Sequence, residues 1–185
     1  MSESQLTKRA LSQAMKELMA EYPMEKIKIG DIVERCGLNR QSFYYHFKDK
    51  YDLVNWIFYT EFFSTIQTSI EKPDWGFMEK ICEYFYENRE FYCNALKVTG
   101  QNSFSEYFHE VMHPIILSYI NDIYKDDPNQ IFYANFFADA IRISITKWLL
   151  EGTKVPPHDY VKLMKKAVMG LAQKVISDVE QEKKS

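Results

Sequence analysis

Apolar residues recur at three- and four-residue intervals along nearly the whole chain, the spacing of one face of an α-helix, and no stretch alternates with the period of two that a half-buried strand requires. Leu11, Ala14, Met15 and Leu18 form the stripe of a first helix, which stops before Pro23. Ile29, Ile32, Val33 and Cys36 make a short second stripe closed by Gly37, and Asn39 is placed to cap a third helix with its side-chain oxygen. Asp49 caps a fourth, with Asp52 in its first turn, running through Leu53, Trp56, Ile57 and Phe63 to a break at Lys72 and Pro73. Later breaks fall at Gly100, where Ser103 and Glu106 make a capping pair, at 126–128 and at 152–157, and they imply about five more helices. The pattern predicts an all-α protein of about nine helices. A three-helix N-terminal part covers 1–52 and a larger helical part covers 53–185.

Composition narrows the class. Apolar residues are 46% and charged residues 26% of the 185, and no uncharged apolar run approaches the roughly 18 residues of a membrane span. The N-terminus enters an amphipathic pattern without a basic leader or an apolar signal core, so the expected location is the cytoplasm, with no membrane partner. Cys36, Cys82 and Cys93 are odd in number and lack CxxC spacing, which suggests neither a disulfide framework nor a thiolate metal site, and no cofactor is expected. The net charge of -3 argues against a polyanionic partner only as an average: residues 1–50 hold nine Lys or Arg against seven Asp or Glu, giving +2.

The basic half contains CGLNRQSFYYHFKDK from Cys36 to Lys50. Two short helices joined by a glycine-containing link match a helix-turn-helix, whose second helix enters the DNA major groove. On that helix Phe43 and Phe47 lie four apart on one face, while Gln41 and Tyr45 point the opposite way with Ser42 and Tyr44 on the flanks. Arg40 and Gln41 suit bidentate contacts to purine edges; Ser42, Tyr44, Tyr45, His46, Lys48 and Lys50 suit phosphate oxygens.

The order IGDIVERCGLNRQSFYYHFKDKYDLVNWIF resembles the helix-turn-helix of the TetR family of bacterial transcription regulators, which ends its recognition helix in Tyr-x-His-Phe followed by a Lys. Here these are Tyr44, His46, Phe47 and Lys50. The resemblance spans about residues 5 to 60 and implies sequence-specific binding of operator DNA. It implies base contacts from Arg40, Gln41 and Ser42, and phosphate contacts from Tyr44, Tyr45, His46 and Lys50; Lys28, Asn39 and Lys48 are further candidates for phosphate. The family often has Thr-Val at the entry to the second helix, where this chain has Lys28 and Ile29; a hydroxyl cap is lost, and Lys28 itself becomes the candidate for phosphate.

The larger part holds most of the aromatics, and spacing does not separate a ligand-lined cavity from a packed core. The helix from about Gln130 is apolar on more than one face, and the last helix carries an a/d seam at Val161, Met164, Val168, Leu171 and Val175. A two-fold homodimer is expected on Phe137, Ile141, Ile145, Trp148, Met164, Val168, Leu171 and Val175. The segment 98–108, VTGQNSFSEYF, is similar to a branch of the family linked to activation of dihydroxyacetone-kinase genes, in which a kinase-like partner protein carries the signal. A partner protein needs an exposed patch, and Tyr107, Phe108 and the loop 100–103 are the candidates because they combine aromatic anchors with adaptable polar groups. The effector is thus a small molecule or a partner protein.

One competing motif is present. His109, Glu110 and His113 spell HEVMH, the pattern of a zinc-dependent hydrolase with two histidines one turn apart and a glutamate base. A third ligand is not evident, with only Asp122, Asp126 and Asp127 as substitutes, and Pro114 threatens the helix the motif needs. His158, beside Pro156 and Pro157, is expected to be a solvent-exposed residue at a helix start, and no phosphate loop or nucleophile–base spacing occurs.

Overall fold

The computed structural model describes residues 3–64, 74–100 and 102–182, and among these every regular element is helical. The first helix, α1, is Glu3–Glu21, and its predicted stripe Leu11, Ala14, Met15 and Leu18 is buried throughout. Pro23 ends it, a single 3₁₀ turn Met24–Lys26 reverses the chain, and α2 (Ile29–Arg35) and α3 (Arg40–His46) follow. Asp49 caps α4 (Lys50–Phe58) by accepting the Tyr51 and Asp52 N–H groups, each at 2.8 Å. A π-helical turn, Tyr59–Phe63, continues α4 and buries Phe62; the predicted break at Lys72 and Pro73 lies outside the described residues.

The rest is α5 (Trp75–Glu87), α6 (Arg89–Leu96), α7 (Phe104–Ile123), α8 (Gln130–Leu150) and α9 (Pro157–Glu182). Ser103 caps α7 as expected, accepting the Glu106 N–H at 3.3 Å. Pro114 does not break α7, contrary to the sequence expectation. The helix is continuous across it because Phe108, Met112, Ile116 and Ile120 keep one face locked in the core on both sides of the proline. Helices α7 and α8 form a long packed hairpin, and α9 lies on α5. Trp148 fixes the α8–α9 link by donating to the Val155 carbonyl at 2.8 Å and stacking on Tyr160.

The core runs without interruption from Leu11 to Val161. At its centre Phe58, fully buried, is ringed by Phe85, Tyr92, Phe104, Tyr107 and Phe108 at centroid distances of 5.4 to 6.4 Å. The aromatics therefore pack against one another, and two clefts among the described residues, one beside Lys16 and Phe91 and one beside Tyr22 and Arg35, are open grooves on the surface.

The structure corrects several of the dimer and partner residues. Ile145 and Trp148 are buried in the chain's own core, so their apolar surface is already used; Phe137, Ile141 and Met164 pack half-buried against it and keep part of their surface open. The apolar face of α8 left to solvent is instead Phe132, Phe136, Ile143 and Leu150, which fall within about 40° of one another at 3.6 residues per turn. On α9, Val161 is buried, whereas Val168 and Leu171 are exposed, and the Val175 side chain lies outside the described residues. Phe108 is fully buried and Tyr107 half-buried, which removes Phe108 as a surface anchor; of the loop proposed with it, Gln101 lies outside the described residues.

Candidate nucleic-acid interface

The turn between α2 and α3 is built from two backbone features. Gly37 adopts φ 69°, a left-handed conformation that side chains with a Cβ resist, and the Leu38 N–H reaches back to the Val33 carbonyl at 2.8 Å. The Asn39 Oδ1 then accepts the Ser42 N–H at 2.8 Å and the Ser42 hydroxyl at 3.2 Å, starting α3. Phe43 and Phe47 plug into the core, with Phe47 edge-on to Trp56, and this fixes which face of α3 is outward.

On that outward face Tyr44 is 58% and Tyr45 82% exposed, beside exposed Gln41, Arg40 and Lys48. Tyr45 stands edge-on to His46 with centroids 4.8 Å apart. His46 is half-buried, and desolvation, then the charge of Lys8, pushes its pKa below the ordinary value. A lowered pKa favours the neutral ring, which carries one N–H to donate. Lys8, from α1, lies over the Phe47 and Trp56 rings at 5.9 and 5.7 Å, next to this surface. Sequence spacing did not reveal it, because only packing brings α1 alongside α3.

Arg40 and Lys50 have other engagements, and Lys28 does not. Arg40 lies back across α2: its Nη2 is 3.1 Å from where a Cβ on Gly30 would stand, and it must swing to reach a base. Lys28 is exposed at the start of α2; its backbone N–H donates to Asp31 Oδ2 at 2.7 Å, one half of a capping box. Lys50 is the correction among the phosphate residues. Its ammonium donates to the carbonyls of Met24 (2.7 Å), Glu25 (3.1 Å) and Ile27 (2.8 Å), so all three protons are taken within the chain. Desolvation lowers its pKa against the opposing pull of Glu25, Asp31 and Asp49. Lys50→Ala is expected to cost about 1–3 kcal/mol of folding stability by unpairing these carbonyls, measured by urea denaturation.

The HEVMH motif gains no support. The His109 and His113 rings are 5.9 Å apart, and His109 Nδ1 turns to Asp139 on α8, at 3.2 Å but poorly aligned for a hydrogen bond. Asp139 in turn meets Arg142, which reaches Ser105 at 2.9 Å. Among the described residues no three His, Cys, Asp or Glu converge as a metal site would require. His158 is exposed in the first turn of α9 and contacts the Glu79 carboxylate.

A two-helix reader with an aromatic outer face, carried on an all-helical body, defines a helix-turn-helix DNA-binding regulator. Comparison with known proteins agrees. Residues 11–57 match the profile described as bacterial regulatory proteins, tetR family, and residues 74–170 match one described as transcriptional regulator C-terminal region. The chain belongs to the TetR family of transcription regulators. A curated relative, the HTH-type dhaKLM operon transcriptional activator DhaS of Lactococcus lactis subsp. lactis (strain IL1403), is 29% identical over 93 residues. That match spans 50% of each protein, so the chain aligns with about half the length of this relative. Among solved structures, a dihydroxyacetone kinase operon activator DhaS superposes with TM-score 0.65 at 20% identity, covering 89% of this chain and 95% of that one. A TetR transcriptional regulator from Streptococcus agalactiae 2603V gives 0.67 at 20% identity, with coverage of 87% and 92%. These likenesses show a shared fold. No helix among the described residues is long and apolar enough to cross a membrane.

Proposed function

We propose that the protein acts in the cytoplasm as a homodimer that binds operator DNA through α3 of each copy and changes its affinity in response to an effector. The observation that carries the DNA surface is the outward face of α3, where two tyrosines stand exposed on a helix anchored from behind by Phe43 and Phe47. Arg40, Gln41 and Ser42 read bases; Lys28, Asn39, Tyr44, Tyr45, His46 and Lys48 hold phosphates. The 1–52 part is the reader and 53–185 the effector and dimer part.

The homodimer is supported by α9. Its described side chains from Lys165 to Lys174 are all exposed, and an isolated helix of that length is marginal in water without a partner surface. Val168 and Leu171 there, with Phe132 and Phe136 on α8, form the surface a second copy covers. Likeness to the Lactococcus activator supports the further reading that the regulated genes encode a dihydroxyacetone kinase, and the filled aromatic core supports an effector that is a partner protein over a small molecule enclosed there.

The test is selection of bound duplexes from a random pool, followed by titration of variants on the selected operator. Gln41→Ala is expected to lose about 1–3 kcal/mol on the operator and to relax preference at one base pair. Lys48→Ala is expected to weaken all sequences alike and to reduce the salt slope by about 1 per half-site. Equal losses on operator and random DNA for Gln41→Ala would reject the base-reading assignment.

A further inference from the structure

The C-terminal end of α1 leaves backbone carbonyls that its own helix cannot pair, and Pro23 prevents the ladder from continuing. The partner comes from α6, in the larger part of the chain. Asn94 donates from Nδ2 to the carbonyls of Met19 (2.9 Å) and Tyr22 (2.7 Å) and accepts the Met24 N–H at Oδ1 (2.8 Å). On the same corner the Lys50 ammonium holds the carbonyls of Met24, Glu25 and Ile27. The turn joining α1 to α2 is thus held by two side chains, one from α6 and one from the start of α4. Its own bonds are those of one 3₁₀ turn, Lys26 to Pro23 at 3.0 Å and Ile27 to Met24 at 3.2 Å.

A planar amide that uses both donors and its acceptor at once fixes distance and angle together. A second tie joins the same bodies: Lys16 of α1 pairs with Glu61, the Tyr84 hydroxyl lies 3.4 Å from Glu61, and it shares a 2.8 Å bond with the hydroxyl of Tyr92, two residues before Asn94. Helices α2 and α3 both pack on α1 and so travel with the corner.

We propose that Asn94 is the positioning residue through which the larger part of the chain sets the orientation of the helix-turn-helix. It makes α6 and the α1–α2 corner one rigid body, so the state of the larger part becomes the separation of the two recognition helices. This rests on the DNA-binding homodimer reading above. The chemistry of base reading is untouched, since the atoms Asn94 holds belong to Met19, Tyr22 and Met24 and none to α3; what it controls is the half-site spacing that the dimer accepts.

The experiment uses the full chain and duplexes carrying the selected half-site at centre-to-centre spacings changed by one and by two base pairs. The wild type is expected to favour one spacing. Asn94→Ala and Asn94→Asp are expected to cut that discrimination by about fivefold or more while keeping the wild-type ranking of single-base changes within a half-site. The aspartate cannot donate to the Met19 and Tyr22 carbonyls and should behave like the alanine. Asn94→Ser, which retains a hydroxyl able to donate, is the variant to read if Asn94→Ala does not fold. Ile120→Val, in the core of α7, controls for a general loss of stability. Unchanged spacing discrimination with only a lower melting temperature overturns the proposal, and so does a wild-type dimer that binds operators of every spacing alike. A wild type that binds no DNA, or binds as a monomer, instead overturns the reading beneath it.

Discussion

The double substitution Phe136→Glu and Leu171→Glu is expected to yield a folded monomer whose operator affinity is lower by about 10²- to 10⁴-fold, the range lost when two linked binding events become independent. Phe136 is 60% and Leu171 68% exposed, so neither substitution removes packing from the chain's own core. In a dimer, however, each places an unpaired carboxylate in an apolar interface, and that is the large term. Light scattering reads the mass, circular dichroism the helicity and operator titration the affinity. Ile145→Glu serves as contrast: Ile145 faces the chain's own interior and its variant is expected to unfold the protein. A double variant that remains a dimer with intact helicity would refute the interface.

Phe58→Ala is expected to lower the unfolding free energy by about 3–5 kcal/mol, a large share of the roughly 5–15 kcal/mol that holds a domain together. The ring has zero exposure and touches aromatics from α5, α6 and α7, so truncation opens a hole that several fixed helices cannot close. Urea denaturation of the variant measures the loss. A loss below about 1 kcal/mol would mean that the surroundings collapse readily, as around a ligand cavity, and would return the effector question to a small molecule bound among these rings.

The helices themselves were legible because their signals are local. Pro23, Gly37, Asn39, Asp49 and Ser103 act through φ, a missing N–H or a side-chain oxygen within three residues, and each terminates or caps a helix as expected. The recognition helix was legible for a related reason. Phe43 and Phe47 anchor one face, and residues two positions away then have nowhere to point but outward. Lys50 was misread because its residue type suits a phosphate and a carbonyl equally well, and only the position of the Met24–Lys26 turn chooses between them.

By itself, then, the sequence determined an all-α chain, the positions of its helix ends and a DNA-reading helix with its outward face, all consequences of contacts within a few residues. Tertiary structure alone decided which apolar faces remain for a partner. Helix α8 is apolar on several sides, and only the placement of α5, α6, α7 and α9 against it assigns Ile145 and Trp148 to the interior and Phe132 and Phe136 to solvent. It also decided the link between reader and body. Asn94 lies 70 residues or more from the atoms it holds, and its amide gives no local periodicity or capping signal that could announce a hydrogen bond across the fold.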